Sequence, residues 1–287
     1  MRSSDSALEF CGAVAALHFG IMQIIQVQKL VVFKQKTSSN RLPIVNGAPL
    51  DWIKLVAALA TLFDHLNAVL LAYQAPTMWW FGRLAFPLFC YVAACHVQRQ
   101  GNSSRYIGWL LVVGIFAQPA YDLALNKETA NILITLACGV ALASAIKDVK
   151  SVLANVILSA GAALVTAIPD TNLSGFDFGL AGVFFPAAIL MLFRGGIWQF
   201  AQFFVLLFAL NFPAENFPAE GTHFLLGSAP ADGLAIACFV AASMIGVILA
   251  ANLSEGFERF LDKRILYILY PAHLFFFGLL RAIFLPA

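Results

Sequence analysis

"LDWIKLVAALATLFDHLNAVLLAY", residues 50–73, is long and apolar enough to cross a bilayer as one helix, yet it carries the adjacent pair Asp64 and His65 in its second half. An ionisable side chain at the bilayer centre costs on the order of 3 kcal/mol on insertion scales, so such groups face a protein interior and serve chemistry or transport. Helical geometry places Thr61 one turn before both residues and Asn67 three residues beyond Asp64, which makes a polar stripe on an apolar helix. Entering at Asp51, the helix reaches His65 after about 21 Å, in the far half of a hydrocarbon core about 30 Å thick.

The rest of the chain has the same character. Of 287 residues, 61% are hydrophobic and 11% charged, against roughly 25% charged in soluble domains. This predicts an all-α polytopic membrane protein and gives no support to nucleic-acid binding. The net charge of +2 carries little meaning as a sum, because in such proteins the loop distribution decides. Cys11, Cys90, Cys95, Cys138 and Cys238 lie in apolar runs without C-x-x-C spacing, so neither a metal site nor a disulfide framework is predicted.

Hydropathy windows predict about nine spans, near 50–73, 78–97, 105–123, 129–146, 151–168, 176–193, 196–212, 233–251 and 265–285. Residues 1–49 read as an N-terminal extension to a transmembrane domain at 50–287. Within the extension, 7–28 contain Glu9, His18, Gln23 and Gln26 and fit an interfacial amphipathic helix better than a further span. A cleaved leader is not expected, since no small-residue cleavage site follows the apolar run.

Lys29, Lys34, Lys36 and Arg41 precede the first span, and Arg99, Arg105, Lys147, Lys150, Arg194, Arg259, Lys263 and Arg264 all fall in alternate joints. The intervening joints, among them "QAPTMWW" at 74–80 and "PDTNLSG" at 169–175, are almost free of basic residues, with Lys127 in "LNKET" an exception. The basic joints are therefore predicted to be cytoplasmic. By the same counting, Arg83, Tyr121, Asn131 and Asp177 lie towards the outer side, near the level of His65, and His273 lies nearer the midplane. Asp51 is predicted to cap the first helix, with Lys54 snorkelling to the interface. Pro87, Pro119, Pro186 and Pro271 are read as kinks, and Gly179 and Gly182 as close-packing positions.

Six segments in order, "LDWIKLVAALATLFDHLN", "GRLAFPLFCYVAA", "AQPAYDLAL", "NILITLACG", "DFGLAGVFF" and "YPAHL", resemble motifs of the TraX family of F-pilin acetylases. The resemblance runs from about Leu50 to the C-terminus. It implies kinship with transmembrane acyltransferases of the bacterial inner membrane, which take acetyl-CoA from the cytoplasm and acetylate an acceptor at the outer side, a protein such as pilin or a glycan. By resemblance His65 is the catalytic histidine, with Asp64 its neighbour and Arg83 a site residue. Asn131, Asp177, Gly179, Tyr270 and His273 match motif positions to which the resemblance assigns no individual role; Tyr121, Asn131, Asp177 and Tyr270 are carried as candidates for the acceptor and His273 for the donor. Arg99, Arg105, Lys147 and Lys150 are the cations nearest the cytoplasmic surface for the phosphates of coenzyme A, and they equally satisfy the positive-inside rule. Chemically, histidine suits removal of a proton from an amine or hydroxyl, and Arg83 suits stabilisation of an oxyanion or neutralisation of Asp64. Two other readings stay open: a proton-coupled transporter with Asp64, His65 and Asp177 as a relay, and a non-catalytic membrane partner in pilus assembly.

Overall fold

The computed structural model describes residues 42–100, 102–127, 129–167, 175–211, 229–262 and 264–284, without the side chains of 166–167, 229–232 and 284. The predicted interfacial helix at 7–28 lies outside the described residues, as does Cys11. Among the described residues ten helices follow in order: α1 (Ala48–Leu70), α2 (Pro76–Gly82), α3 (Ala85–Arg99), α4 (Ser104–Leu125), α5 (Ile132–Ile146), α6 (Ser151–Ala167), α7 (Gly179–Leu192), α8 (Ile197–Leu210), α9 (Ala229–Asn252) and α10 (Ile265–Phe284). Among the described residues there is no strand, only one isolated bridge between Ala130 and Phe176.

The protein is an all-α, multi-pass membrane protein. Its helical units fall where hydropathy places them, with two differences. First, the second predicted span is broken into α2 and α3, with Arg83 and Leu84 between them. Pro87 accounts for this, because it has no N–H to give to the carbonyl of Arg83 four residues earlier. Second, among the described residues five units are long and apolar enough to span, at 48–70, 76–99, 104–125, 233–252 and 265–283, whereas α5 to α8 are shorter apolar helices. At 1.5 Å per residue these four reach only about 21–26 Å, less than the hydrocarbon thickness.

The outer surface is apolar: Phe116 is 79% exposed and Trp198 72%, as lipid-facing positions require. Between helices, small residues permit close approach. A Cβ on Gly139 would lie 2.6 Å from Pro186 Cγ of α7, and one on Gly182 would lie 2.8 Å from Thr135 Cγ2 of α5. Phe86 of α3 stacks on Phe178 just before α7, with centroids 4.3 Å apart and planes 4° from parallel.

Hydrogen bonds tie the helices together at both ends. At the end where α1 begins, Lys147 donates to the Gln100 carbonyl at 2.7 Å, Arg194 to the carbonyls of Val149 and Lys147, and Arg99 to Asn46. Asp51 does not cap α1. Its helix starts earlier, with Gly47 at the N-cap (φ 65°) and a proline in the first positions, so Asp51 sits in the first turn, fully buried. It accepts from Arg259 at 2.9 Å and Lys54 at 3.3 Å, joining α1 to the segment before α10. At the opposite end, Asn67 exchanges two 3.0 Å hydrogen bonds with the backbone of Ala75. That clamp holds a tight α1–α2 turn in which Ala72 and Tyr73 take φ of 47° and 62°, a conformation that side chains disfavour.

Candidate functional site

The polar stripe of α1 divides among different partners. Thr61 turns back to the Ala57 carbonyl at 3.0 Å, and Asn67 serves the turn. The two ionisable neighbours point apart, as positions about 100° apart on a helix do. Asp64 faces the end of α2, and its Oδ1 lies 3.6 Å from Nη2 of Arg83, the residue that follows that helix. Room for that carboxylate comes from Gly82, whose missing Cβ would lie 2.6 Å from Asp64 Cβ. The Arg83 guanidinium in turn rests 4.7 Å from the centroid of the buried Trp79 ring, a favourable cation–π arrangement. Arg83 Nε is buried and makes no hydrogen bond among the described residues.

His65 faces α10 instead. It is 9% exposed, and its Nδ1 lies 2.8 Å from His273 Nε2, with the two rings 5.0 Å apart and 13° from parallel. His273 Nδ1 lies 2.9 Å from the Leu269 carbonyl, and the edges of Tyr270 and Phe277 pack against its ring. Beside this pair sits a packed cluster of Val69, Tyr121, Ala124, Tyr270, Leu274 and Phe277 from α1, α4 and α10.

A second ion pair closes the same end. Lys127, after α4, lies 2.9 Å from Asp177, before α7. The backbone sets this up: Ala130 N–H donates to the Gly175 carbonyl at 2.7 Å and Asp177 N–H to the Ala130 carbonyl at 3.0 Å. Burial pushes the Asp177 carboxyl up, but the Lys127 ammonium and the Tyr121 hydroxyl outweigh it and hold the group below the usual carboxylate value. Burial pulls Lys127 down, and Asp177 more than restores it, to a value above that of an ordinary lysine. Asp177 and Lys127 both act electrostatically on His65 and Asp64.

The structure thus brings Asp64, His65, Arg83, Tyr121, Asp177, Tyr270 and His273 to one end of the bundle. Asn131 is there too, but its side chain is fully occupied: it caps α5 through Leu133 N–H and donates to the Gly114 carbonyl and to Gln118. Arg99, Arg105 and Lys147 stand at the basic end. Arg105 is exposed, Arg99 and Lys147 bind neighbouring protein groups, and His273, grouped with them by sequence, lies apart against His65. Lys127, paired with Asp177 at this end, is a residue that motif reading passed over. Its signal was a lone lysine in a joint otherwise free of basic residues, where a paired carboxylate is the natural reason for it.

A family model described as "TraX protein" matches residues 49–281, which include every residue of the two ion pairs and the histidine pair. A curated relative, "Probable fimbrial assembly protein FimC, serogroup H1" of Dichelobacter nodosus, is 30% identical over 100 residues, covering 30% of this chain and 41% of that protein. The chain therefore matches less than half the length of that relative. No solved structure matches. With four fifths of the chain inside one family match that also takes in its buried polar site, the protein belongs to the TraX family.

Proposed function

We propose that the protein is an acyltransferase of the bacterial inner membrane that moves an acetyl group from acetyl-CoA to an amine or hydroxyl at the outer side, with a pilin subunit as the acceptor that its family and its fimbrial-assembly relative favour. The observation that supports it most is the buried imidazole of His65, joined to a second imidazole and flanked by two ion pairs, about 21 Å along α1 from Asp51. A membrane interior tolerates so many polar groups where they do chemistry.

In this reading the acceptor nitrogen or oxygen attacks the thioester carbonyl, and His65 takes the proton that the nucleophile loses. Collapse of the tetrahedral species breaks the carbon–sulfur bond. The thiolate of coenzyme A takes up the proton from the imidazolium, so amide or ester and free coenzyme A are the products. Arg83, paired with Asp64 but with Nε–H uncommitted, is the candidate donor to the oxyanion. Exposed Arg105 and Lys150 at the basic end are free to meet phosphates, whereas Arg99 and Lys147 would have to exchange protein partners to do so.

The test uses membranes holding the full chain, isotopically labelled acetyl-CoA and purified pilin subunits. Labelled pilin with release of free coenzyme A, lost at least about 100-fold in His65→Gln, supports the reading. Ion-driven flux without acyl transfer would replace it by the transporter.

A further inference from the structure

The two hydrogen bonds of His273 assign the protons of the histidine pair. The Leu269 carbonyl, 2.9 Å from His273 Nδ1, can only accept, so Nδ1 carries the hydrogen. A neutral His273 then has its lone pair on Nε2. His65 Nδ1, 2.8 Å from that lone pair, must donate to it. In a neutral imidazole only one nitrogen bears hydrogen, so the lone pair of His65 resides on Nε2, on the side of the ring away from His273. Two elements packed around His273 keep this order: Tyr270 and Phe277 of its own helix meet the ring edge-on at 70° and 86°, and His65 of α1 lies nearly parallel to it. The nearby charges of Asp177 and Lys127 are bound to each other, and so are those of Asp64 and Arg83.

We infer that His273 is a positioning residue, which holds His65 in the Nδ1–H tautomer and makes His65 Nε2 the atom that accepts the proton of the incoming nucleophile. This rests on the acyltransferase reading for its chemistry, though not for its geometry. Without His273, the His65 ring is free to rotate and to adopt the Nε2–H tautomer, in which the reacting nitrogen is already protonated. A relay from Nε2 through Nδ1 to His273 is not required; His273 keeps its own proton on the Leu269 carbonyl throughout.

The experiment has two arms on the full chain in lipid bilayers. In the first, nitrogen NMR of histidine-labelled protein should show His65 protonated at Nδ1 and bare at Nε2, and His273→Leu should reverse this. In the second, turnover per inserted molecule should fall about 100-fold in kcat with little change in KM for His273→Leu, while His273→Gln, whose amide oxygen reaches the same position as the lost Nε2, should recover to within about tenfold of the original. A wild-type His65 protonated at Nε2, or an unchanged kcat in His273→Leu, would overturn the assignment. His65→Gln is measured beside them. If it stays active, the acyltransferase role of His65 fails; if it is inactive while His273→Leu works normally, only the role of His273 fails.

Discussion

Asp64 Oδ1 lies 3.6 Å from Arg83 Nη2, so the carboxylate next in sequence to His65 pairs with the joint between α2 and α3 and not with the histidine. The pair is largely shielded, with side chains 22% and 14% exposed. Removing one member strands the other charge in an apolar setting. Arg83→Leu should therefore lower the stability of the inserted protein by on the order of 3 kcal/mol, and Asp64→Leu combined with Arg83→Leu should regain most of that loss. Denaturant titration in detergent micelles reads both; a double variant no better than the single one would show that the pair is not what Arg83 contributes.

Gly82 gives a steric counterpart. An alanine there would set its Cβ 2.6 Å from Asp64 Cβ, forcing α1 and α2 apart, whereas at Gly108 of α4 nothing lies within 4 Å. Gly82→Ala should destabilise by about 1–3 kcal/mol. Gly108→Ala should be neutral or stabilising by up to about 1 kcal/mol. Thermal midpoints of the two variants, compared in one lipid, decide the matter.

Acid should act through Asp177. Its carboxyl titrates below the usual range in the folded protein because Lys127 and Tyr121 favour the charged form. Its contribution is thus complete above the ordinary carboxylate value and disappears as pH falls through the depressed one. In Lys127→Met the burial of Asp177 is no longer opposed by the ammonium, and the acid edge of stability should move to higher pH. Melting temperature against pH, taken as the difference between wild type and variant, measures the displacement.

The segregation of basic residues predicts sidedness. Ser104, at the start of α4, and Gln74, in the turn after α1, are both exposed and lie at opposite ends. In a cysteine-free background, an impermeant thiol reagent should label Gln74→Cys in intact cells and Ser104→Cys only after the membrane is opened. Labelling of both from one side would reverse the assignment of the basic end to the cytoplasm.

Much of the fold was legible because apolar runs of this length have few alternatives to helix. The positions of α1, α4, α9 and α10 follow from hydropathy alone, and the resemblance in "DHLN" and "YPAHL" brought His65 and His273 forward separately. What stayed hidden was partnership. The two histidines are 208 residues apart, and no local period connects them. Asp51 looked like a cap because its natural partner, Arg259, is equally remote. The break after Gly82 was hidden for a different reason: α2 and α3 are continuous in apolarity, and only Pro87 marks the joint.

The order of synthesis acquires a meaning from these long-range contacts. Among the described helices the first, α1, meets the last, α10, through His65 and His273 at one end, while Asp51 and Arg259 join α1 to the approach to α10 at the other. A ribosome delivers the imidazole of His65 208 residues before that of His273. Every intermediate that lacks α10 thus carries the His65 imidazole without its His273 partner. The contact between the two imidazoles therefore forms only once α10 has joined α1.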